Sequence, residues 1–280
     1  MGFKGVLKKK QALVNNALKK YLSVRNLKLP EVLSDALRYS VFSGGKRFRP
    51  VLTLLTAEAL GVKPDKVMPG ACAIELIHNF SLIHDDMPCM DNDDYRRGRL
   101  TCHKKFDEAV ALLAGDALVA YAFKLLADNC KGVSEKDFKK IISELSDATV
   151  KMISGQVKDI TIRPSQIDDA VLNYIHSHKT GALIRCAVRT GAVLSGATGK
   201  QLENLTLYGQ HIGLIFQITD DILDMNEESG KVSFPLFYGL SESMKLLAEL
   251  AGSALDNVKS FGTRGENLKN VVHYLLARKK

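Results

Sequence analysis

Apolar residues recur along this chain at spacings of three and four, the period of an amphipathic helix, and seldom alternate in the way that marks strands. The pattern predicts helices at roughly 4–22, 30–42, 48–60, 66–87, 108–128, 135–160, 168–176, 180–194, 199–226, 240–258 and 263–277. Breaks are expected at Gly44-Gly45, Pro64, Pro88, Gly98, Gly132, Pro164, Gly196 and Pro235. No Asn-Gly hairpin signal, Ser/Gly/Pro linker or fixed-period repeat interrupts the pattern. The expectation is an all-α chain folded as one domain over 1–280. The segment GQHIGLIFQITDDILD is apolar nearly all round, so its helix belongs at the centre of a bundle.

Two of these apolar helices end in acid. The run from Ile74 to Ile83 leads into SLIHDDMPCMDNDDYRRG, which holds Asp85, Asp86, Asp91, Asp93 and Asp94 within ten positions. The central helix ends in DDILD, with Asp220 and Asp224 one turn apart on one face and Asp221 beside them. Carboxylates at a helix C-terminus repel one another and the negative end of the macrodipole. Hard divalent cations remove that conflict, and Mg²⁺ suits one or two carboxylates together with substrate phosphate oxygens. On a continuous helix Asp85 and Asp91 would point to different sides. Pro88 cannot donate its backbone hydrogen bond, so the chain should loop out there and bring Asp91 round. Asp93 and Asp94 read as solvated or paired with Arg96 and Arg97.

Metal-bound carboxylates imply an anionic substrate, and cationic groups accompany them. GGKRFRP carries Lys46, Arg47 and Arg49 after a flexible Gly-Gly, and Arg forks suit diphosphate oxygens. Arg96 and Arg97 follow the first aspartates. Lys179-Thr180 is expected to start a helix, where backbone N–H groups favour phosphate.

The chain has 39 Lys and Arg against 31 Asp and Glu, a net charge of +8, which suits anionic partners. The acidic clusters argue against nucleic acid. Five scattered cysteines without a CxxC argue for a reducing compartment and against a disulfide frame or zinc site. The N-terminus has no signal-peptide pattern, and Val6 stands where a myristoylation signal needs Ser or Thr. No unbroken apolar run has a membrane span's length, so a cytoplasmic protein is expected.

At GGKRFRP, ELIHNFSLIHDDMPCMDNDDYRRG, LLAGDAL, GQVKD, HKTGALI and GLIFQITDDILD, in that order, the sequence resembles the all-trans short-chain isoprenyl diphosphate synthases. The likeness runs from about residue 35 to residue 240. It implies an antiparallel helical bundle around a deep central cavity, a homodimer, and three Mg²⁺ ions bridging Asp85, Asp91 and Asp220 to an allylic diphosphate. Asp86, Asp221 and Asp224 would support the ions, and Asp159 would hold a metal-bound water. Gly45, Lys46, Arg49, His78 and Arg97 would take isopentenyl diphosphate, while Arg96 and Lys179 would grip dimethylallyl, geranyl or farnesyl diphosphate. Thr180 and Gln217 would line the reacting carbons.

In that family the residues just before the first aspartate motif limit product length. Phe80 lies five residues before Asp85, about 7.5 Å along a helix, on the order of one isoprene unit. An aromatic there resembles farnesyl (C15) rather than geranylgeranyl (C20) producers, and Ser81 adds no block. One departure concerns MNEESGKVSFPLFYGL, which runs almost directly from Asp224 to Ser233-Phe234-Pro235. About ten residues that in the family carry one or two lysines closing over the allylic diphosphate have no counterpart there, with Lys231 as a replacement for one of them; either the chain lacks this lid or a segment is missing from the numbered sequence. Two alternatives are a class I terpene cyclase and a catalytically impaired regulatory subunit. DDILD with Lys46 and Arg49 opposes the first, and intact aspartate motifs oppose the second, which only the shortened segment after Asp224 supports.

Overall fold

A computed structural model describes residues 2–163, 166–225 and 233–278. In chain order the elements are α1 (Phe3–Tyr21), α2 (Val24–Leu27), α3 (Glu31–Val41), α4 (Phe48–Ala59) and α5 (Pro64–Asp85). A ribbon of β1 (Tyr95–Arg96) and β2 (Arg99–Leu100) precedes α6 (Cys102–Lys105), α7 (Glu108–Asn129) and α8 (Glu135–Thr161). Then come α9 (Asp169–Ile175), a π-helix (His176–Gly181), α10 (Ala182–Leu194) and α11 (Gly199–Asp224). The last are α12 (Phe234–Tyr238), α13 (Leu240–Val258), a 3₁₀ segment (Lys259–Gly265) and α14 (Glu266–Leu276). The protein is all-α, as the periodicity predicts, and the long helices fall close to their expected bounds.

The chain divides into two compact units, Met1–Val51 with Asp65–Val133, and Leu52–Pro64 with Ser134–Lys280. In the first unit α3 packs on α6 and α7, and α1 buries Lys10, Val14 and Leu18 along one stripe. Asp107 caps α7 by accepting from the Val110 N–H at 2.7 Å, a bond worth ~1 kcal/mol. The break expected at Pro64 falls between α4 and α5, and Pro64 itself opens α5, where its missing N–H costs nothing. The ribbon pairs Tyr95 with Leu100 and Arg96 with Arg99. Its two-residue turn has φ of 53° at Arg97 and 73° at Gly98, so Arg-Gly performs the task usually given to Asn-Gly. By length and composition alone α7 could cross a membrane, with a mean hydropathy of 1.8 over its most apolar 18 residues. Asp116 and Lys124 interrupt its apolar sequence, so no unbroken apolar run of that length is present.

In the second unit α11 is the central element expected of it, packed on α10, the π-helix, α13 and α14. It starts with a capping box between Thr198 and Gln201. Tyr208 is fully buried and its hydroxyl donates to the Leu268 carbonyl at 2.8 Å. A Cβ on Gly213 would lie 2.9 Å from Gly181 Cα, so glycine lets α11 meet the π-helix backbone directly.

Candidate functional site

The two aspartate clusters belong to different units and are described in turn. In the first unit, α5 stops at Asp85 and the next seven residues turn back on themselves. The Met90 N–H donates to Met87 O at 2.9 Å, Asn92 N–H to Met87 O at 3.1 Å, and Asp91 N–H to Asp85 O at 2.9 Å. Pro88 sits in this turn, so the reversal brings Asp91 beside Asp85 as the missing proline N–H suggested. Asp91 is exposed and Asp85 half-buried.

Asp86 points the other way. It is buried, and Arg96 donates to its Oδ1 from Nε at 2.6 Å and approaches it from Nη2 at 2.5 Å. Burial pushes the Asp86 carboxyl up, against the pull of Arg96. Both groups are committed to each other, so Asp86 anchors Arg96 to the end of α5. Asp93 lies 3.6 Å from Arg96, but Asp94 pairs with Lys104 at 2.8 Å rather than with Arg97. Arg97 instead donates from Nη1 to the Gly44 carbonyl at 2.6 Å.

That bond ties the ribbon to the GGKRFRP loop. Lys46 is exposed and Arg49 half-buried, whereas Arg47 between them is turned inward onto Glu75 at 2.7 Å. The Gly45 carbonyl accepts from Gln11 Nε2 at 2.7 Å. His78 is held neutral: burial, then the fields of Arg49, Arg97, Arg47 and Arg96, push its pKa well below the usual value. Phe80 is 8 % exposed and meets the His84 ring edge-on at 4.9 Å. His84 bonds the Leu112 carbonyl at 3.1 Å, and the Ser81 hydroxyl donates to His78 O at 2.9 Å.

In the second unit the acids end α11. Asp220 and Asp224 are half-buried, and Asp220 pairs with Arg278 at 2.7 Å. Asp221 accepts from Gln217 Nε2 at 2.7 Å and from the Phe234 N–H at 2.9 Å, and lies 3.7 Å from His176 Nε2. Burial pushes its pKa up to about 6. Phe234 stacks on the His176 ring at 4.7 Å, so Asp221 fastens the start of α12 to α11 and the π-helix.

Lys179 and Thr180 do not start a helix. They lie inside the π-helix of a continuous run from α9 to α10, so the phosphate-binding helix N-terminus expected there is not formed. Such π-bulges frequently mark functional sites. Lys179 Nζ donates to Asp159 Oδ2 at 2.6 Å. Gly155 of GQVKD makes room for this: a Cβ there would sit 2.3 Å from the Lys179 backbone nitrogen. Thr180 is half-buried. Lys231 lies outside the described residues.

The donor chemistry fits Mg²⁺. Asp85 with Asp91, and Asp220 with Asp224, offer partly accessible carboxylate oxygens at helix ends, and hard cations take oxygen. Among the described residues no three Asp, Glu, His or Cys side chains converge as a ready-made cage. An ion with that few protein ligands draws the rest from phosphate and water. Sequence reasoning missed Arg278, Gln11, Asn15 and Glu75. Only Glu75 left a signal, a lone acid inside an apolar helix.

The polyprenyl synthetase family model matches residues 30–258. A dimethylallyltranstransferase from Fischerella ambigua is 41 % identical over 265 residues, 89 % of this chain and 77 % of that protein. A geranylgeranyl pyrophosphate synthase from Capsicum annuum is 40 % identical, over 94 % of this chain and 74 % of its own length. The apo crystal structure of an FPP/GFPP synthase from Zymomonas mobilis superposes with a TM-score of 0.90 at 34 % identity, covering 98 % of this chain and 99 % of that one. With motifs, helices and relatives in agreement, the chain belongs to the polyprenyl synthetase family and is a short-chain trans-prenyltransferase.

Proposed function

We propose that this enzyme condenses isopentenyl diphosphate with an allylic diphosphate in a Mg²⁺-dependent reaction, with farnesyl diphosphate as its main product. The observation that carries the proposal is the turn that sets Asp91 beside Asp85 at the end of an apolar helix. Asp85 and Asp91 in one unit, and Asp220 with Asp224 in the other, would hold the ions, three in all, with Asp159 holding a metal-bound water. Bound Mg²⁺ would supply positive charge to the leaving diphosphate.

The chain's own residues supply the rest. Lys179, oriented by Asp159, and Arg96, oriented by Asp86, stand for the allylic diphosphate. Lys46, Arg49 and Arg97, beside a neutral His78, stand for the isopentenyl diphosphate. Cationic groups stabilise the diphosphate as the allylic C–O bond breaks. The isopentenyl double bond attacks the allylic carbon, and the proton then lost passes to the departing diphosphate. Thr180 and Gln217 line the reacting carbons in this reading, and Phe80 sets the chain length. Lys231 would be the remaining lysine of the shortened segment.

Exposed Leu112 and Leu113 on α7 support a homodimer, and five unbonded cysteines suit a cytoplasmic setting. The test is incubation with Mg²⁺, isopentenyl diphosphate and, separately, C5, C10 and C15 allylic diphosphates, with products identified by mass. A C15 product supports the proposal in full. Products of C20 or longer overturn the farnesyl preference, and no prenyl product from folded protein overturns the activity.

A further inference from the structure

We infer that α1 is a positioning element for the isopentenyl diphosphate site: Gln11 and Asn15 hold the loop that presents Lys46 and Arg49. The inference rests on the reading of those two cations given above.

The loop cannot be left to itself. Gly44 and Gly45 have φ of 107° and 105°, and Arg47 has φ of 51°. Glycine tolerates such angles, but a left-handed arginine is unfavourable and needs outside bonds to keep it there. Those bonds come from three elements. Arg47 Nη1 donates to Glu75 Oε1 on α5 at 2.7 Å, Nη2 donates to the Val41 carbonyl at the end of α3, and Nε donates to Asn15 Oδ1 on α1 at 2.9 Å. One turn earlier on the same face of α1, Gln11 Nε2 donates to the Gly45 carbonyl at 2.7 Å. Asn79 Nδ2 holds the Glu75 carbonyl at 2.8 Å and so steadies the acid's own turn of helix.

The consequence reaches the cations of the loop and the ribbon directly. With Arg47 fixed inward and 3 % exposed, its neighbour Lys46 is directed to solvent and Arg49 opens the first turn of α4. Arg97 lies over Gly45 so closely that a Cβ there would be 2.4 Å from its Nη1. Gln11 thus fixes the peptide against which Arg97 rests. Gln11 and Asn15 are half-buried polar residues beside the stripe of Val14 and Leu18 that anchors α1. Removing either amide leaves that stripe intact.

The experiment compares wild type with Gln11→Ala, Asn15→Ala and the double variant. Readouts are the KM for isopentenyl diphosphate, the KM for geranyl diphosphate, kcat, and calorimetric binding of isopentenyl diphosphate. Each single change should raise the isopentenyl diphosphate KM and Kd ~5- to 10-fold, and the double variant more. The geranyl diphosphate KM and kcat should stay within about twofold. Asn15→Asp, which keeps an acceptor for Arg47, should return the KM to near wild type.

A double variant whose isopentenyl diphosphate KM and Kd match wild type overturns the inference, as does an equal rise in both KM values. The two readings fail separately. If wild type binds isopentenyl diphosphate without turning it over and the variants bind it more weakly, the activity falls and the positioning role stands. If wild type turns over and the variants are unchanged, the reverse holds. If wild type neither binds nor turns over, both fall.

Discussion

The backbone N–H of Asp91 donates to the carbonyl of Asp85 at 2.9 Å, closing a turn in which Pro88 stands. The bond brings the backbones of two residues six apart in sequence, a separation wrong for one helix face, into direct contact. Neither side chain is in the core, so changing either should spare the fold. Asp85→Ala and Asp91→Ala should each lower kcat by about 10²–10³-fold, the scale of losing electrostatic stabilisation of a developing charge. Far-UV circular dichroism should be unchanged. Full activity in either variant would remove the first cluster from the mechanism.

The turn was legible because its cause is local: a proline without an N–H, after an apolar run that ends in acid. The central role of α11 was legible for a similar reason, since a helix apolar all round has few places to go. What sequence left hidden is set by distant partners. Nothing near Glu75 names Arg47 as its counter-charge, and nothing near Asp86 says that Arg96, ten residues on, will bond it. The π-helix at 176–181 is shaped by close approach to Gly155 and Gly213, which belong to other helices. Arg-Gly at 97–98 turned a hairpin without the expected Asn.

Burial of His176 lowers its pKa to about 4. Between that value and the unfolded value near 6.5, the unfolded chain binds the proton and the folded one does not, so stability falls as pH falls. From pH 7 to pH 5 this amounts to about 2 kcal/mol. Asp221, raised to about 6, works the other way: the folded state takes its proton first, which returns about 1 kcal/mol over the same window. His176→Gln deletes only the first effect. Metal-free H176Q should therefore gain ~4 °C in Tm relative to wild type on going from pH 7 to pH 5. A difference in Tm that stays constant with pH would show that His176 titrates normally.

Phe80 is buried one turn before His84 and packs edge-on against it. Cutting the ring back removes a block about one isoprene unit deep relative to Asp85. Phe80→Ala should shift the main product from C15 to C20, at a stability cost of about 3–5 kcal/mol that a melting curve would register. An unchanged product from folded variant protein would show that chain length is set elsewhere.

Gly155 tests how tightly the π-helix is held. A Cβ on this residue would stand 2.3 Å from Lys179 N, 2.9 Å from Lys179 Cα and 3.0 Å from the His178 carbonyl carbon. All three are backbone atoms in a helical run, so no side-chain rotation can relieve the clash and the π-helix must move off α8. The first casualty is the 2.6 Å bond from Lys179 to Asp159, whose geometry depends on that approach. Gly155→Ala should cost about 1–3 kcal/mol by overpacking. It should also raise the KM for the allylic diphosphate ~10-fold while sparing that for isopentenyl diphosphate, because Lys46 and Arg49 hang from other elements. Lys179→Ala should raise the allylic KM as well without lowering Tm, since its ammonium is not part of the core. If Gly155→Ala melts early yet keeps the wild-type allylic KM, the close approach serves stability alone.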